Sequence, residues 1–276
     1  MMFKHFDIHS HLNLDQFDSD CDAVIHRMEE DGVGTITVGV DIATSEKAVA
    51  IAERSANIFA SIGTHPTDSK EPFDEGSYLQ LLSHPKVVAI GECGLDYFRL
   101  SGRPEEITTE KNRQKELFEK HIALSVKTGK PLMIHARPSK GSMDAYADAL
   151  DILAKCAKLS FAHFAQNGKL SANFHFFVGD VSIARRVLIA GYTMSFDGPI
   201  TFARDYDDVI RMLPLESIMV ETDAPFAAPA PYRGKRCEPW MVGEIVKKIA
   251  EIKELNVAVV AKAMVQNAGQ FFNLPL

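Results

Sequence analysis

Short apolar, β-branched runs alternate along this chain with longer stretches whose apolar positions recur every three to four residues. The first short run ends at His9. The others cover residues 35–40, 58–63, 87–92, 132–135, 172–175, 192–196 and 218–221. Runs of this length rich in Val, Ile, Phe and Met read as strands, and their nearly continuous apolar character is that of strands covered on both faces. Helical periodicity spans residues 21–31, 45–56, 109–128 and 144–155, and a last pair, 239–253 and 257–271, closes the chain.

Eight strands alternating with helices predict a parallel sheet, and a repeat of that kind within about 250 residues is the size of a (β/α)₈ barrel. An open doubly wound sheet would carry a glycine-rich turn after its first strand, and residues 7–14 contain no glycine. No linker, repeat or low-complexity segment divides residues 1–276, so a single barrel domain is expected. The stretch 99–108 reads as an inserted loop after the fourth strand.

The chain has 276 residues, 46% hydrophobic and 24% charged, the balance of a soluble protein with a sizeable core. Its net charge of −7 argues against a broad basic surface for duplex nucleic acid, though not against a local basic patch. Cys21, Cys93, Cys156 and Cys237 are widely spaced, as reduced thiols of a cytoplasmic protein would be. Asp7 arrives before any apolar run could form a signal sequence, and no later stretch has the length of a membrane span. A cytoplasmic monomer with no membrane association is expected.

Candidate chemistry gathers at strand ends. Asp7-Ile8-His9-Ser10-His11 puts two imidazoles two positions apart, so on a strand they point the same way. Alone, that pattern also describes a pair of surface histidines. However, His65 follows the third strand, Glu92 ends the fourth, His135 the fifth and His175 the sixth, and Asp223 follows the eighth. In a barrel these ends converge on one rim, where active sites sit. A set of imidazoles and carboxylates without thiolate suits Mg²⁺, Mn²⁺, Zn²⁺ or iron. Four histidines and two carboxylates exceed the needs of one ion. They suggest His9, His11 and Asp223 on one ion, His135 and His175 on a second, and Glu92 bridging both.

With these segments in view, the chain resembles the TatD-type metal-dependent deoxyribonucleases of the amidohydrolase-like superfamily. The matching motifs are Asp7-Ile8-His9-Ser10-His11, Gly63-Thr64-His65-Pro66, Gly91-Glu92-Cys93-Gly94-Leu95-Asp96-Tyr97, Ile134-His135-Ala136-Arg137, Phe174-His175-Phe176-Phe177-Val178-Gly179, Gly198-Pro199-Ile200-Thr201 and Glu221-Thr222-Asp223-Ala224-Pro225. The resemblance covers essentially the whole chain. It implies a barrel holding two divalent ions and hydrolysis of DNA phosphodiesters, often 3′ to 5′ on single strands. His9, His11, Glu92, His135, His175 and Asp223 match the metal-ligand positions, and His65 matches a histidine used near the substrate. Two segments depart from the pattern: Cys237-Glu238-Pro239, where the family usually has asparagine before Glu-Pro, and Phe174 to Gly179, where it commonly has His-Cys-Phe-Ser-Gly.

The expected reaction is attack by a metal-bridging water on a phosphodiester, with Asp223 as general base and Glu221 orienting a ligand. Arg137 is the favoured cation for the phosphate, ahead of Arg99, with Arg233 and Lys235 in a basic loop beyond the eighth strand. Tyr97, Phe98 and Phe176 are candidates for stacking a terminal base. Cys93 alternates away from Glu92, so a cysteine nucleophile is rejected. His163 reads as a structural or exposed histidine, the alternative being that it competes with His175 as the ligand. The other readings are an amidohydrolase of a small ester, amide or phosphoester, an esterase of aminoacyl-tRNA, and a non-enzymatic metal-binding scaffold. The strand-four glutamate, where many such barrels carry a carboxylated lysine, favours the nuclease branch.

Overall fold

The strands that the apolar runs foretell hydrogen-bond to one another in chain order. A computed structural model describes residues 3–67, 72–159 and 170–274. In it β1 (His5–Ser10), β2 (Val33–Val38), β3 (Ile58–Ile62), β4 (Val87–Asp96), β5 (Leu132–Arg137), β6 (Ala172–Phe174), β7 (Thr193–Phe196) and β8 (Ile218–Val220) form one eight-stranded sheet, each parallel to the next. The sheet closes on itself just beyond β8. Asp223 N donates to His9 O at 2.9 Å and His11 N to Ala224 O at 2.7 Å, making a parallel bridge between Ser10 and Ala224. This is the (β/α)₈ barrel expected from the sequence, and its seam runs through two of the site segments.

The described helices are α1 (Cys21–Glu30), α2 (Ile42–Ala52), α3 (Glu75–Leu82), α4 (Pro104–Thr128), α5 (Asp144–Leu159), α6 (Val181–Ile189), α7 (Asp207–Met212), α8 (Val242–Lys253) and α9 (Val257–Phe272). Local chemistry sets their ends. The Asp41 carboxylate accepts from Thr44 N at 2.7 Å and starts α2 three residues before the apolar periodicity does. The supposed loop 99–108 is corrected in the same way. Pro104 occupies the first turn of α4, where its missing N–H costs nothing, and Glu106 accepts from Arg103 N at 3.0 Å. The loop therefore ends at Arg103, and polar residues that look loop-like form the exposed first turns of a 25-residue helix.

The main apolar core lies where helices cover the sheet. A second cluster joins Phe6, Ile8, Ile36, Val38 and Met133 to Val265, Ala268 and Phe272 of α9, so the last helix packs on the strands beside the seam. Among the described residues no helix is long and apolar enough to cross a membrane. The four cysteines are unpaired. His163 lies outside the described residues.

Candidate metal centre

Glu92 sits at the middle of the rim, and its two oxygens face different partners. Oε2 lies 3.5 Å from His9 Nε2 and 3.8 Å from His11 Nε2. Oε1 lies 2.8 Å from both His135 Nδ1 and His175 Nε2, and 3.7 Å from His65 Nε2. Asp223 Oδ1 completes the first group, 3.7 Å from His9 Nε2 and 3.4 Å from His11 Nε2. Strand alternation brings His9 and His11 together as expected, with their Nε2 atoms 3.1 Å apart. Strands β4 and β5 come close because Gly94 lacks a side chain: at φ +136 a Cβ there would collide with the His135 carbonyl.

The donor set can be tested against a cation. An ion bound tetrahedrally at ordinary Zn–N and Zn–O distances keeps its ligand atoms about 3.4 Å apart. His9 Nε2, His11 Nε2, Glu92 Oε2 and Asp223 Oδ1 lie 3.1–3.8 Å apart in the five pairs named above, so this group fits. The group around Oε1 is hydrogen-bonded more tightly, yet offers the same kind of donors. Clusters of His9, His11 and Glu92, of His65, Glu92 and His135, and of His9, His175 and Glu221 each converge tightly enough to hold an ion. His9 Nδ1 is buried without a hydrogen bond.

Surrounding groups orient these side chains. His11 Nδ1 donates to Val38 O at 2.9 Å, which leaves its Nε2 lone pair facing the centre. His175 Nδ1 faces Glu221 Oε1 at 3.4 Å, and Glu221 is held by Phe176 N at 2.5 Å and Ser195 Oγ at 2.7 Å. Two such groups escape a reading of the sequence. Asp96 Oδ2 accepts from His135 Nε2 at 3.1 Å. Asp7 accepts from Thr222 N at 2.9 Å and from Thr222 Oγ1 at 2.6 Å, pinning the residue before Asp223. Parity offered a signal for Asp96, because it stands four residues from Glu92 and so shares its face if the strand continues. Asp223 itself has φ +53, a left-handed conformation that Asp tolerates better than most residues.

Burial disfavours every charge here, and the neighbours decide the outcome. Burial would raise the Glu92 carboxyl, but His175, His65 and His135 outweigh it and hold it well below the usual range. Burial opposes protonation of His175, His135 and His11, but carboxylates prevail. Glu92 and Glu221 push His175 well up, Asp96 and Glu92 push His135 up, and Asp223 and Glu92 do so for His11. His9, stacked on the His175 ring at 4.0 Å, is lowered by burial and by that neighbour. Burial also drives Asp197 well above the carboxylate range, with Glu221 and Asp223 adding to it.

The mouth is a cavity of about 530 Å³ whose lining includes His11, His65, Glu92, His135, His175 and Asp223, with Arg137, Phe176, Val178 and Phe226 around them. His65 lines this cavity, its ring 4.5 Å from that of His135. Arg137 rests 4.1 Å over the Phe98 ring. Arg233 and Lys235 are exposed in the loop beyond β8 and do not line the cavity, and Arg233 lies 3.9 Å over Phe202. The candidate Tyr97 needs correction. It is 1% exposed, and its hydroxyl donates to Asp148 at 3.0 Å, so it packs between barrel and helices. β4 runs on to Asp96, which carries the outward parity of Cys93 through Leu95 to Tyr97. Cys93 is buried as expected, and burial pushes its thiol well up. Cys237 is also buried, with Sγ 3.8 Å from Thr222 O, behind the site and not in its mouth.

A barrel with imidazoles and carboxylates converging on its carboxyl rim defines a metal-dependent hydrolase. The profile of the family described as TatD related DNase matches residues 6–273, and the chain belongs to that family. It is 35% identical over 274 residues to the uncharacterized metal-dependent hydrolase YabD of Bacillus subtilis, covering 98% of this chain and 99% of that protein. It is 32% identical over 279 residues to the uncharacterized metal-dependent hydrolase TatD of Mycobacterium tuberculosis, covering 97% and 98% of the two chains. The crystal structure of YjjV, a TatD homologue from Escherichia coli, superposes with a TM-score of 0.85 at 26% identity over the full length of both chains.

Proposed function

We propose that the protein is a deoxyribonuclease that hydrolyses phosphodiesters of single-stranded DNA from the 3′ end, with two divalent ions on the rim. The observation that carries this reading is the split of Glu92: one oxygen faces His9 and His11, the other His135 and His175. His9, His11 and Asp223 would hold one ion and His135 and His175 the other, with Glu92 shared. When bound, such ions supply the charge that acidifies water and polarises a phosphoryl group. The family description supports the choice of DNA.

The chain's own residues account for the rest. Asp223 is the general base, its Oδ1 beside His11 and its carboxylate facing the cavity. Arg137, stacked on Phe98, has its guanidinium pre-oriented to bind a non-bridging phosphate oxygen. His65 donates a hydrogen bond to the phosphoryl or leaving oxygen. Phe176, Val178 and Phe226 give the cavity an apolar wall for sugar and base, and exclude water.

Metal-stripped protein incubated with single-stranded DNA labelled at the 5′ end, with Mg²⁺, Mn²⁺ or Zn²⁺ restored separately, tests the proposal. Stepwise shortening that needs an ion supports it. Intact DNA with every ion, alongside turnover of a small ester or amide, overturns it in favour of an amidohydrolase-type substrate.

A further inference from the structure

The rim carries more exposed aromatic rings and unpaired cations than the reaction centre uses. Among the described residues, Phe98, Phe202 and Phe226 are 45%, 42% and 47% exposed. All three lie in loops that follow strands, Phe98 after β4, Phe202 after β7 and Phe226 after β8, and so on the face that bears the metal centre. Exposed phenylalanine loses free energy to water, and a barrel has no structural need for three on one face.

Two of the rings are capped by guanidinium groups. Arg137 stacks on Phe98 at 4.1 Å and Arg233 on Phe202 at 3.9 Å. The chain has twelve arginines, and among the described residues only Arg99, Arg137, Arg185 and Arg233 lack an ion pair. Three of these four stand on the rim, in a protein of net charge −7. Arg236 shows the contrast: three residues after Arg233, it is fixed to Asp20 at 2.6 Å and Glu238 at 3.1 Å and so anchors the loop. Lys235, in the same loop, is also exposed.

These features join into one surface. Phe226 lines the metal cavity with its ring 6.2 Å from that of His11. The β7 and β8 loops touch, since a Cβ on Gly198 would collide with the Ala227 carbonyl, and Ala230 N donates to Thr201 Oγ1 at 2.8 Å. Phe202, the neighbour of Thr201, is thereby tied to the loop that carries Phe226 and Arg233. On the other side of the cavity, Arg137, His65 and His135 also line a second recess of about 440 Å³ with Arg99.

Building on the nuclease reading above, we infer that this surface is a track for single-stranded DNA several nucleotides long, in which bases stack on Phe202, Phe226 and Phe98 while Arg233, Arg137 and Arg99 meet the phosphates. Alternating π-faces and cations are what an unpaired strand offers partners for, whereas a paired duplex hides its base faces. The track makes this enzyme favour strands over isolated diesters.

The test compares two substrates in the metal-loaded enzyme: a single-stranded 12-mer, and bis(p-nitrophenyl) phosphate, which reaches only the metal cavity. Stacking of one base is worth ~1–3 kcal/mol, so Phe202→Ala should raise KM for the 12-mer about fivefold or more, and Phe202→Tyr should restore it. Arg233→Ala should flatten the salt dependence of 12-mer KM by about one charge. The kcat/KM for the small diester reads whether the reaction centre of each variant is intact. A wild-type enzyme that cleaves the 12-mer, with Phe202→Ala and Arg233→Ala cleaving it equally well, overturns the track and leaves the nuclease reading standing. A wild-type enzyme that turns over the diester but no oligonucleotide overturns both.

Discussion

Asp96 Oδ2 lies 3.1 Å from His135 Nε2, on the side of the ring opposite Glu92. An ionised carboxylate only accepts, so the Nε2 proton of His135 is held there and Nδ1 is turned toward Glu92. Asp96 is itself fixed, with Oδ1 accepting from Phe98 N at 3.0 Å and its backbone N–H donating to Gln114. Removing such an orienting carboxylate typically costs about 10–100-fold in metal affinity. Asp96→Asn should weaken divalent-ion binding by that factor while circular dichroism stays unchanged. Competition with a chelating dye checks it, and wild-type affinity in the variant would deny Asp96 this role.

Asp223 is expected to fail differently. Its left-handed backbone, φ +53, is one that asparagine also tolerates, so Asp223→Asn should fold normally. It loses the acceptor for a proton, and kcat should fall at least about 100-fold. Steady-state kinetics decide the point: a variant within a few-fold of wild type would remove Asp223 from the base role.

Most of the barrel was legible because its strands are buried on both faces and so appear as unbroken apolar runs. The candidate ligands were legible because each one interrupts, ends or closely follows such a run. What escaped lies where a strand outlasts its apolar signal. β4 continues past Glu92 through Cys93, Gly94, Leu95 and Asp96, and two glycines and two carboxylates in six residues look like a turn. That misplaced end hid Asp96 and aimed Tyr97 at the substrate, although Tyr97 shares its parity with the outward Cys93. Likewise the start of α4 is set by Pro104 and Glu106, capping chemistry that leaves no apolar periodicity. Asp7 illustrates a different limit, since its partner Thr222 is 215 residues away and only closure of the barrel brings them together.

Stability should fall on the acid side through His121. Its ring is fully buried, Nδ1 donates to Leu117 O at 2.8 Å, and Nε2 accepts from Thr64 N at 3.0 Å, just before His65. The bond from Thr64 requires a neutral ring, and burial lowers its pKa to about 4. The unfolded chain takes up this proton near pH 6.5, before the folded one does. The contribution is therefore whole above that pH and is lost as pH falls toward 4, amounting to about 3 kcal/mol. Urea unfolding from pH 7 to pH 4 should show His121→Gln with a shallower loss than wild type. Parallel pH profiles would contradict this.

On the proposed function, Glu92 is shared between two ions that the reaction needs. Titrating metal-stripped protein with a single divalent ion, while following hydrolysis of single-stranded DNA, tests it most directly. Activity should be absent at first and level off at two equivalents per chain, with Glu92→Gln failing to reach that plateau. Full activity in the stripped protein, or saturation at one equivalent with Glu92→Gln behaving as wild type, would contradict it.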